Sequence, residues 1–350
     1  MRTWGALGWG TFGPGLVLLA AVSLPRAAQA QWHATVGAQS KDLAKQALAF
    51  LPNEIWIHAG DSVTWSFQTD EIHTVTFLTA GQVRPPFAVG CPGFATSPAT
   101  FDGTTCVTTA AQVKGASFTV TFPNPGNFKL VCLVHETMTG VVHVLDASAT
   151  LPYDQAFYDR EAARHQQALL TDDLAMPGMD EWQSYGDHDG DHDGDRDGYR
   201  GYKAESPGGP QVTAGIGEIN ATPGGAQTLS VMRFSRGTIT VHVGDTVAWS
   251  NSDPITPHTI TFGTEPTNLL APSANVTTGA DGALHATIHS PSDNVSSGFL
   301  MAAPQERIGL AQAPPGVTRF EVTFTHTGVY PYICALHDTL GMKGEVIVVP

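Results

Sequence analysis

Two short segments of the chain combine side chains that bind soft metal ions. Their residues are Cys132, His135 and Met138 in the pattern C-x2-H-x2-M, and Cys334, His337 and Met342 in the pattern C-x2-H-x4-M. A further histidine precedes each segment, since His73 stands 59 residues before Cys132 and His258 stands 76 residues before Cys334. Each of these upstream histidines opens a run His-Thr-(Val/Ile)-Thr-Phe.

This combination of residue types suits an ion that alternates between Cu(I) and Cu(II). Soft thiolate sulfur and borderline imidazole nitrogen bind both oxidation states. Two histidines and one cysteine in a plane, with a distant methionine sulfur, form a blue-copper electron-transfer site. The sequence therefore predicts one such site in each half of the chain. Zinc remains an alternative occupant, because it also accepts cysteine and histidine ligands.

The surroundings of the two segments are repeated. Residues 55–65 read IWIHAGDSVTW and residues 239–249 read ITVHVGDTVAW. Residues 118–135 read FTVTFPNPGNFKLVCLVH and residues 320–337 read FEVTFTHTGVYPYICALH. The order of the blocks is the same in both halves, which indicates a duplicated domain of about 120–140 residues.

The repeats have the pattern of short strands separated by turns. Runs rich in β-branched and aromatic residues alternate with Gly, Pro, Asn and Asp, which favours an all-β fold of sandwich type. In the first copy, strands are predicted at 63–67, 74–77, 117–122, 127–132 and 141–145. The long insertions at residues 79–115 and 264–317 lack periodicity and are predicted to be surface loops, with or without short helices. His58 and His242 hold matching places and are interpreted as strand residues rather than ligands.

These motifs resemble the plastocyanin/azurin family of cupredoxins. The Gly-Asp-x-Val-x-Trp strand, the His-Thr strand and the Cys-x-x-His loop all fit that family, over about 50–146 and 227–350. The resemblance implies two cupredoxin-like Greek-key β-sandwiches with one type 1 copper site each. The ligands it implies are His73, Cys132, His135 and Met138 in the first domain, and His258, Cys334, His337 and Met342 in the second. It also implies that redox protein partners dock near exposed His135 and His337.

The four cysteines divide into two pairs. Cys91 and Cys106 lie in one stretch rich in Gly, Pro and Thr, and they are predicted to form a disulfide. Such a bond closes a loop of about 15 residues and contributes roughly 3 kcal/mol in the chain-entropy model. Cys132 and Cys334 then remain free for metal.

The N-terminus has the features of an export signal. Arg2 precedes an apolar run from Leu16 to Leu24, and Ala28-Gln29-Ala30 provides small residues at a cleavage site. We therefore predict a signal peptide over 1–30, cleavage near Ala30, and a periplasmic or secreted protein. The apolar run is too short to span a bilayer, so no membrane span is expected in the mature chain.

An acidic linker is predicted over 149–210, between a first domain at 31–148 and a second at 211–350. Residues 146–206 hold 15 of the 32 acidic residues and 5 of the 17 basic ones. Residues 154–170 are predicted to be helical, and residues 184–210 are predicted to be disordered. The run DHDGDHDGDRDG at 187–198 opens like a calcium loop but lacks its closing acid, so a solvated linker is favoured over weak Ca²⁺ binding. No basic cluster indicates nucleic-acid binding.

Three functions are compatible with the sequence. One-electron transfer between redox partners needs only the two predicted copper sites. Copper delivery, storage or resistance is the alternative, supported by the histidines of the acidic linker. A multicopper oxidase or a nitrite reductase needs further histidine ligands beside the cysteine, whereas Cys132 and Cys334 have apolar neighbours. The chain is therefore predicted to be an electron carrier and not an enzyme.

Overall fold

The structure is a computed structural model that describes most of both repeats. The described residues are Met1, 29–87, 89, 91–172, 174, 209–302 and 318–350. The predicted signal peptide and the aspartate-rich run of the linker lie outside these residues, and both remain predictions.

The first domain consists of strands connected by turns and loops. Its described strands are β1 (Gln31–Gln39), β2 (Lys45–Leu51), β3 (Glu54–His58), β4 (Ser62–Phe67), β5 (Thr76–Phe77), β6 (Ala99–Thr100), β7 (Val107–Thr108), β8 (Ser117–Thr121), β9 (Gly126–Val131) and β10 (Thr139–Leu145). The alternation of buried and partly exposed residues along β4 and β10 is the period-2 pattern of a half-buried strand. The strands predicted from sequence are thus confirmed, with small differences at their ends.

The second domain repeats this arrangement after a single described helix. That helix, α1 (Gln155–Thr171), begins after Asp154, whose side chain accepts a hydrogen bond from the Phe157 amide. The strands that follow are β11 (Gln211–Thr222), β12 (Gly225–Phe234), β13 (Thr238–His242), β14 (Thr246–Ser252), β15 (Thr261–Phe262), β16 (Thr277–Thr278), β17 (Leu284–Ile288), β18 (Val295–Ser296), β19 (Arg319–Phe324), β20 (Gly328–Ile333) and β21 (Lys343–Val349). A short 3-10 helix, Asp338–Leu340, lies between β20 and β21. The predicted helix and the all-β fold class are confirmed, and no described helix is long and apolar enough to cross a membrane.

Three sheets form the two sandwiches. One sheet of eleven strands has the order β16-β17-β19-β14-β11-β12-β2-β1-β4-β8-β6 and runs through both domains. Each half of it packs on a five-stranded sheet, with the order β3-β10-β9-β5-β7 in the first domain and β13-β21-β20-β15-β18 in the second. Trp65 and Trp249 occupy matching positions in the two cores and are fully buried.

The two domains are joined by main-chain pairing. Strand β2 pairs antiparallel with β12, with Gln46 opposite Ser230 and Ala47 opposite Leu229. Leu169 of α1 packs over this junction in a cluster that includes Ala47 and Leu229. A continuous sheet and a shared apolar cluster therefore fix the position of one sandwich against the other.

The two insertions are not the plain surface loops expected from the sequence. The first contributes β6 and β7, and the second contributes β16, β17 and β18, so both extend the sheets. The predicted disulfide between Cys91 and Cys106 lies in the first insertion, with the Cα atoms 5.5 Å apart. Sequence periodicity missed these strands because most of them are only two residues long.

Asn53 gives a test of the junction. Its buried side-chain amide donates to the Thr222 hydroxyl (2.6 Å) in the other domain and to the Thr139 carbonyl (3.3 Å). We expect Asn53→Ala to lower the free energy of unfolding by about 1–3 kcal/mol, because buried hydrogen-bond partners lose their donor. Urea denaturation measures this effect. Asn124→Ala, at an exposed site, is the control and should change the stability little; equal losses would contradict the assigned role of Asn53.

Candidate metal centres

The first ligand loop lies between two paired strands. β9 ends at Val131 and β10 begins at Thr139, so the seven residues between them form a short connection. The amide of Cys132 donates to the Met138 carbonyl (3.0 Å), which closes the loop at its base. Arg84, from the first insertion, donates to the carbonyls of Cys132 (2.8 Å) and His135 (3.3 Å). The loop is therefore fixed from both sides.

His73 reaches this loop from a separate segment of the domain. Its backbone exchanges two hydrogen bonds with Gln112, each 2.9 Å long. In the second domain, His258 makes the same bridge with Leu300, with bonds of 3.0 and 2.7 Å. Each insertion thus holds the upstream histidine of its domain in place. The sequences of the insertions gave no sign of this structural role.

Three donor atoms converge in the first site. Nδ1 of His73 lies 3.1 Å from Nδ1 of His135, and the two nitrogens lie 4.0 and 3.8 Å from Sγ of Cys132. A point equidistant from all three atoms is about 2 Å from each, which suits bonds to nitrogen of about 2.0–2.1 Å and to sulfur of about 2.3 Å. The donor set therefore fits one metal ion.

The second site has the same geometry. Nδ1 of His258 lies 3.2 Å from Nδ1 of His337. Sγ of Cys334 lies 3.8 Å from the first nitrogen and 3.3 Å from the second. All three residues are buried, as are their counterparts in the first domain. The structure thus brings together the six histidine and cysteine residues predicted from sequence, in two groups of three.

Backbone amides point at the sulfur atoms of both cysteines. The amides of Thr74 (3.4 Å) and His135 (3.5 Å) point at Sγ of Cys132, and the amide of Thr259 (3.3 Å) points at Sγ of Cys334. Burial raises the pKa of the Cys132 thiol, but contacts with His135 and His73 outweigh it and hold the pKa well below its ordinary value. The thiolate is the form that binds metal.

The two methionines lie in the same loops as the other predicted ligands. Met138 and Met342 are fully buried, and each accepts a hydrogen bond at its carbonyl from the cysteine of its loop. Arg233 donates to the Leu340 carbonyl (2.7 Å) and so supports the second loop near Met342. Their role as weak axial ligands stays a prediction.

A glycine packs behind each upstream histidine. Gly37 and Gly215 have φ values of +67° and +74°, in the left-handed region that favours glycine. A Cβ atom at Gly37 would overlap the Thr69 side chain and lie 2.9 Å from Nε2 of His73, and one at Gly215 would overlap Nε2 of His258. Neither Nε2 atom has a hydrogen-bond partner among the described residues. The close backbone therefore limits where each ring can lie and leaves Nδ1 as its ligand atom.

One expectation about the sites is wrong. His135 and His337 were expected to be exposed for partner docking, but they are only 1% and 3% exposed. Both rings face the domain junction, where Nε2 of His135 lies 3.3 Å from Oε1 of Glu71 and Nε2 of His337 lies 3.4 Å from Oε2 of the same carboxylate. The expectation came from the family resemblance, which carries no information about contacts between the two domains.

Glu71 was not identified from the sequence. It precedes His73 by two residues, in the largely polar segment QTDEI at 68–72, and no local pattern marks it as buried. Burial raises the pKa of its carboxyl group, but the imidazoles of His337 and His135 outweigh burial and lower the pKa to about 2. Contact with the Cys132 thiol and with Glu71 raises the pKa of His135 to about 9, against the effect of burial. A buried carboxylate between two imidazoles is thus kept ionised.

The remaining histidine predictions concern the repeated strands. Nε2 of His58 lies 2.8 Å from the Ala149 carbonyl, and Nδ1 of exposed His242 lies 3.7 Å from Asp245. Both side chains thus have protein partners, in agreement with their interpretation as strand residues. A third group within the described residues, formed by Asp281, His285 and Glu321, is partly exposed on the second domain.

The sequence comparison identifies the family. The profile described as "Copper binding proteins, plastocyanin/azurin family" matches residues 38–145 and 224–349. These two regions include all of the converging histidines and cysteines. The chain belongs to this family of copper-binding proteins, and it carries one histidine-cysteine-histidine group in each of its two matching regions.

Solved structures of the same kind resemble parts of the chain. A reduced amicyanin variant, P94F, is 18% identical over 33% of this chain and 82% of its own, with a TM-score of 0.23. A purple cupredoxin from Nitrosopumilus maritimus is 23% identical over 40% of this chain and 99% of its own, with a TM-score of 0.20. Oxidised plastocyanin from Dryopteris crassirhizoma is 19% identical over 40% and 99%, with a TM-score of 0.20.

The glycines behind the upstream histidines can be tested one site at a time. Gly37→Ala and Gly215→Ala should each weaken Cu(II) binding at one site by about tenfold or more, because the added Cβ crowds the histidine ring and, at Gly37, also the Thr69 side chain. Competition titration with a chelator measures both affinities.

Gly81→Ala is the matched control for these two variants. Gly81 has a φ of +73° but nothing within 4 Å of an added Cβ, so this change adds similar backbone strain without the clash. It should leave both affinities unchanged. An equal loss in the control would mean that backbone strain, and not ring displacement, weakens the sites.

Proposed function

We propose that this protein is an exported electron carrier with two type 1 copper sites. The convergence of one thiolate and two imidazole nitrogens in each domain carries the proposal, because this donor set suits both Cu(I) and Cu(II). Copper bound there would supply one-electron chemistry by alternating between these two states. The four ligands proposed for each site are His73, Cys132, His135 and Met138, and His258, Cys334, His337 and Met342.

The rigidity of the sites supports a function in electron transfer and not in the catalysis of a reaction on a substrate. Strand pairing, the Arg84 contacts and the bridges made by His73 and His258 hold the donor atoms in place. A fixed donor set needs little rearrangement when the charge of the ion changes. Aromatic side chains such as Phe77, Phe262 and Tyr332 are buried in the same cores and help to exclude water.

Copper delivery or storage is the second candidate. The histidines of the acidic linker favour it, since exposed histidines can take up and release Cu²⁺. Deep burial of the six histidine and cysteine donors argues against rapid release from the two sites. Oxygen or nitrite reduction has less support, because Cys132 and Cys334 are flanked by Val131, Leu133, Ile333 and Ala335 where such enzymes place histidines.

The cysteines provide the main test. Cys132→Ser and Cys334→Ser should each remove about half of the intense red-end absorption of the copper-loaded protein, because each thiolate serves one site. Visible spectroscopy with copper analysis measures both the colour and the stoichiometry. A colourless Cu(II) protein would contradict the proposal and favour delivery, and turnover of oxygen or nitrite would favour an enzyme. Complete loss of colour from one substitution would contradict two separate sites.

The axial role of the methionines has its own test. Met342→Leu should keep the blue colour and raise the reduction potential of the second site, because the weak sulfur bond stabilises Cu(II) more than Cu(I). Redox titration followed by absorption measures the potential. Met301→Leu is the control, since Met301 is buried outside the ligand loop, and it should leave the potential unchanged. An unchanged potential in Met342→Leu would show that Met342 is not a ligand.

A further inference from the structure

The most informative feature beyond the two sites is the single side chain that lies between them. Glu71 is 5% exposed and sits at the junction of the domains. One of its oxygens contacts His135 of the first domain and the other contacts His337 of the second, at 3.3 and 3.4 Å. The two histidines that close the ligand loops are therefore joined by one carboxylate.

The segment that carries Glu71 is anchored to the strand that joins the domains. The Glu71 amide donates to the Thr69 hydroxyl (3.1 Å), and this hydroxyl in turn donates to the side chain of Gln46. Gln46 lies on β2 opposite Ser230 of β12, at the centre of the pairing between the domains. The position of the carboxylate is therefore set by the junction itself.

The second repeat places its buried carboxylate elsewhere. Thr256 stands two residues before His258, where the first repeat has Glu71. Asp253 of the second repeat is fully buried, but its Oδ2 lies 4.0 Å from Nε2 of His258, the upstream histidine. Among the described residues, Glu71 is therefore the carboxylate that contacts both loop histidines.

Both contacts with Glu71 are hydrogen bonds in which the histidine ring donates and the carboxylate accepts. An imidazole that offers Nδ1 to a metal keeps its proton on Nε2, and Nε2–H then donates to a neighbouring acceptor. Nδ1 of His135 and of His337 points into its own site, so both Nε2–H groups point at Glu71. A carboxylate accepts from two donors at once because it has two oxygens. Glu71 thereby fixes the orientation of both rings.

We propose that Glu71 couples the two sites and that an electron passes between them along His135, Glu71 and His337. The inference rests on the proposed function, because it requires copper in both sites. In this step one Cu(I) is oxidised to Cu(II) while the Cu(II) of the other site is reduced to Cu(I). No bond forms or breaks, and both Nε2 protons stay in place. The connection contains only two non-covalent contacts, each within 3.4 Å.

Because His135 and His337 are buried, their rings contact Glu71 where the ring of an exposed site would contact a partner protein. In a single exposed site, the ring of the loop histidine is the natural contact for a partner. Here both rings are buried, so the edge of His135 faces Glu71 and not solvent, and the same carboxylate contacts His337 of the other domain. The two loops also differ in length, so the two sites are inequivalent.

Glu71→Gln tests the coupling. A carboxamide accepts at one oxygen but presents N–H donors on its other side, so it cannot serve both rings. After pulse radiolysis adds one electron per molecule, re-equilibration between the sites should be first order and independent of protein concentration. We expect it to be about tenfold slower or more in Glu71→Gln. The single-site variants Cys132→Ser and Cys334→Ser supply the reference optical and EPR spectra of each site.

Asp70→Asn is the matched control. Asp70 is adjacent and exposed, and it accepts a hydrogen bond from Gln39 (2.8 Å), so the change removes the same charge without touching either imidazole. It should leave the exchange rate unchanged. Blue absorption from both sites with an unaltered rate in Glu71→Gln would overturn the coupling alone. Absence of blue absorption in the unsubstituted protein would instead overturn the proposed function.

A second measurement covers the case in which Glu71→Gln folds poorly. NMR of the fully reduced protein detects the Nε2–H protons of His135 and His337, because Cu(I) is diamagnetic. Both protons should exchange slowly with solvent, and Glu71→Asp, which keeps the charge but shortens the side chain, should shift both signals. Rapid exchange in the unsubstituted protein, or a change at only one histidine, would show that Glu71 does not bridge the sites.

Discussion

The pairing of β2 with β12 is the constraint on which the arrangement of the two sites depends. Backbone hydrogen bonds between Lys45–Leu51 and Gly225–Phe234 make one sheet of two domains, and α1 covers the same junction with apolar side chains. Because the pairing involves matching strands of the two repeats, it joins the domains edge to edge in one sheet. The two loops then meet at the junction, where Glu71 contacts the loop histidine of each domain.

Within each domain, the site depends on segments that are distant in sequence. A short loop between two paired strands supplies the thiolate and one imidazole, while a bridge to an insertion supplies the other imidazole. The donors are already held at distances that suit a metal ion, and glycines at 37 and 215 leave room for the rings of the upstream histidines. Donors that are held in place in this way need little rearrangement when an ion binds.

Glu71 forms an interaction at the junction that involves a histidine of each domain. A buried carboxylate is costly unless it is paired, and here its partners are the ligand histidines of two different sites. Neither domain alone would stabilise that charge in the same way. The duplicated fold thus differs from two independent carriers on one chain, because the group that satisfies one loop histidine also satisfies the other.

The sequence by itself determined the residues of the sites and the class of the fold. Cysteine, histidine and methionine in the same order, found twice, indicated copper because ligand preference is a property of residue type. Alternation around Trp65 and Trp249 indicated strands because the strand period is local. The tertiary structure alone decided that His135 and His337 are buried and that Glu71 lies between them. Glu71 and His337 are 266 residues apart, and no local pattern encodes a contact that exists only after β2 and β12 have paired.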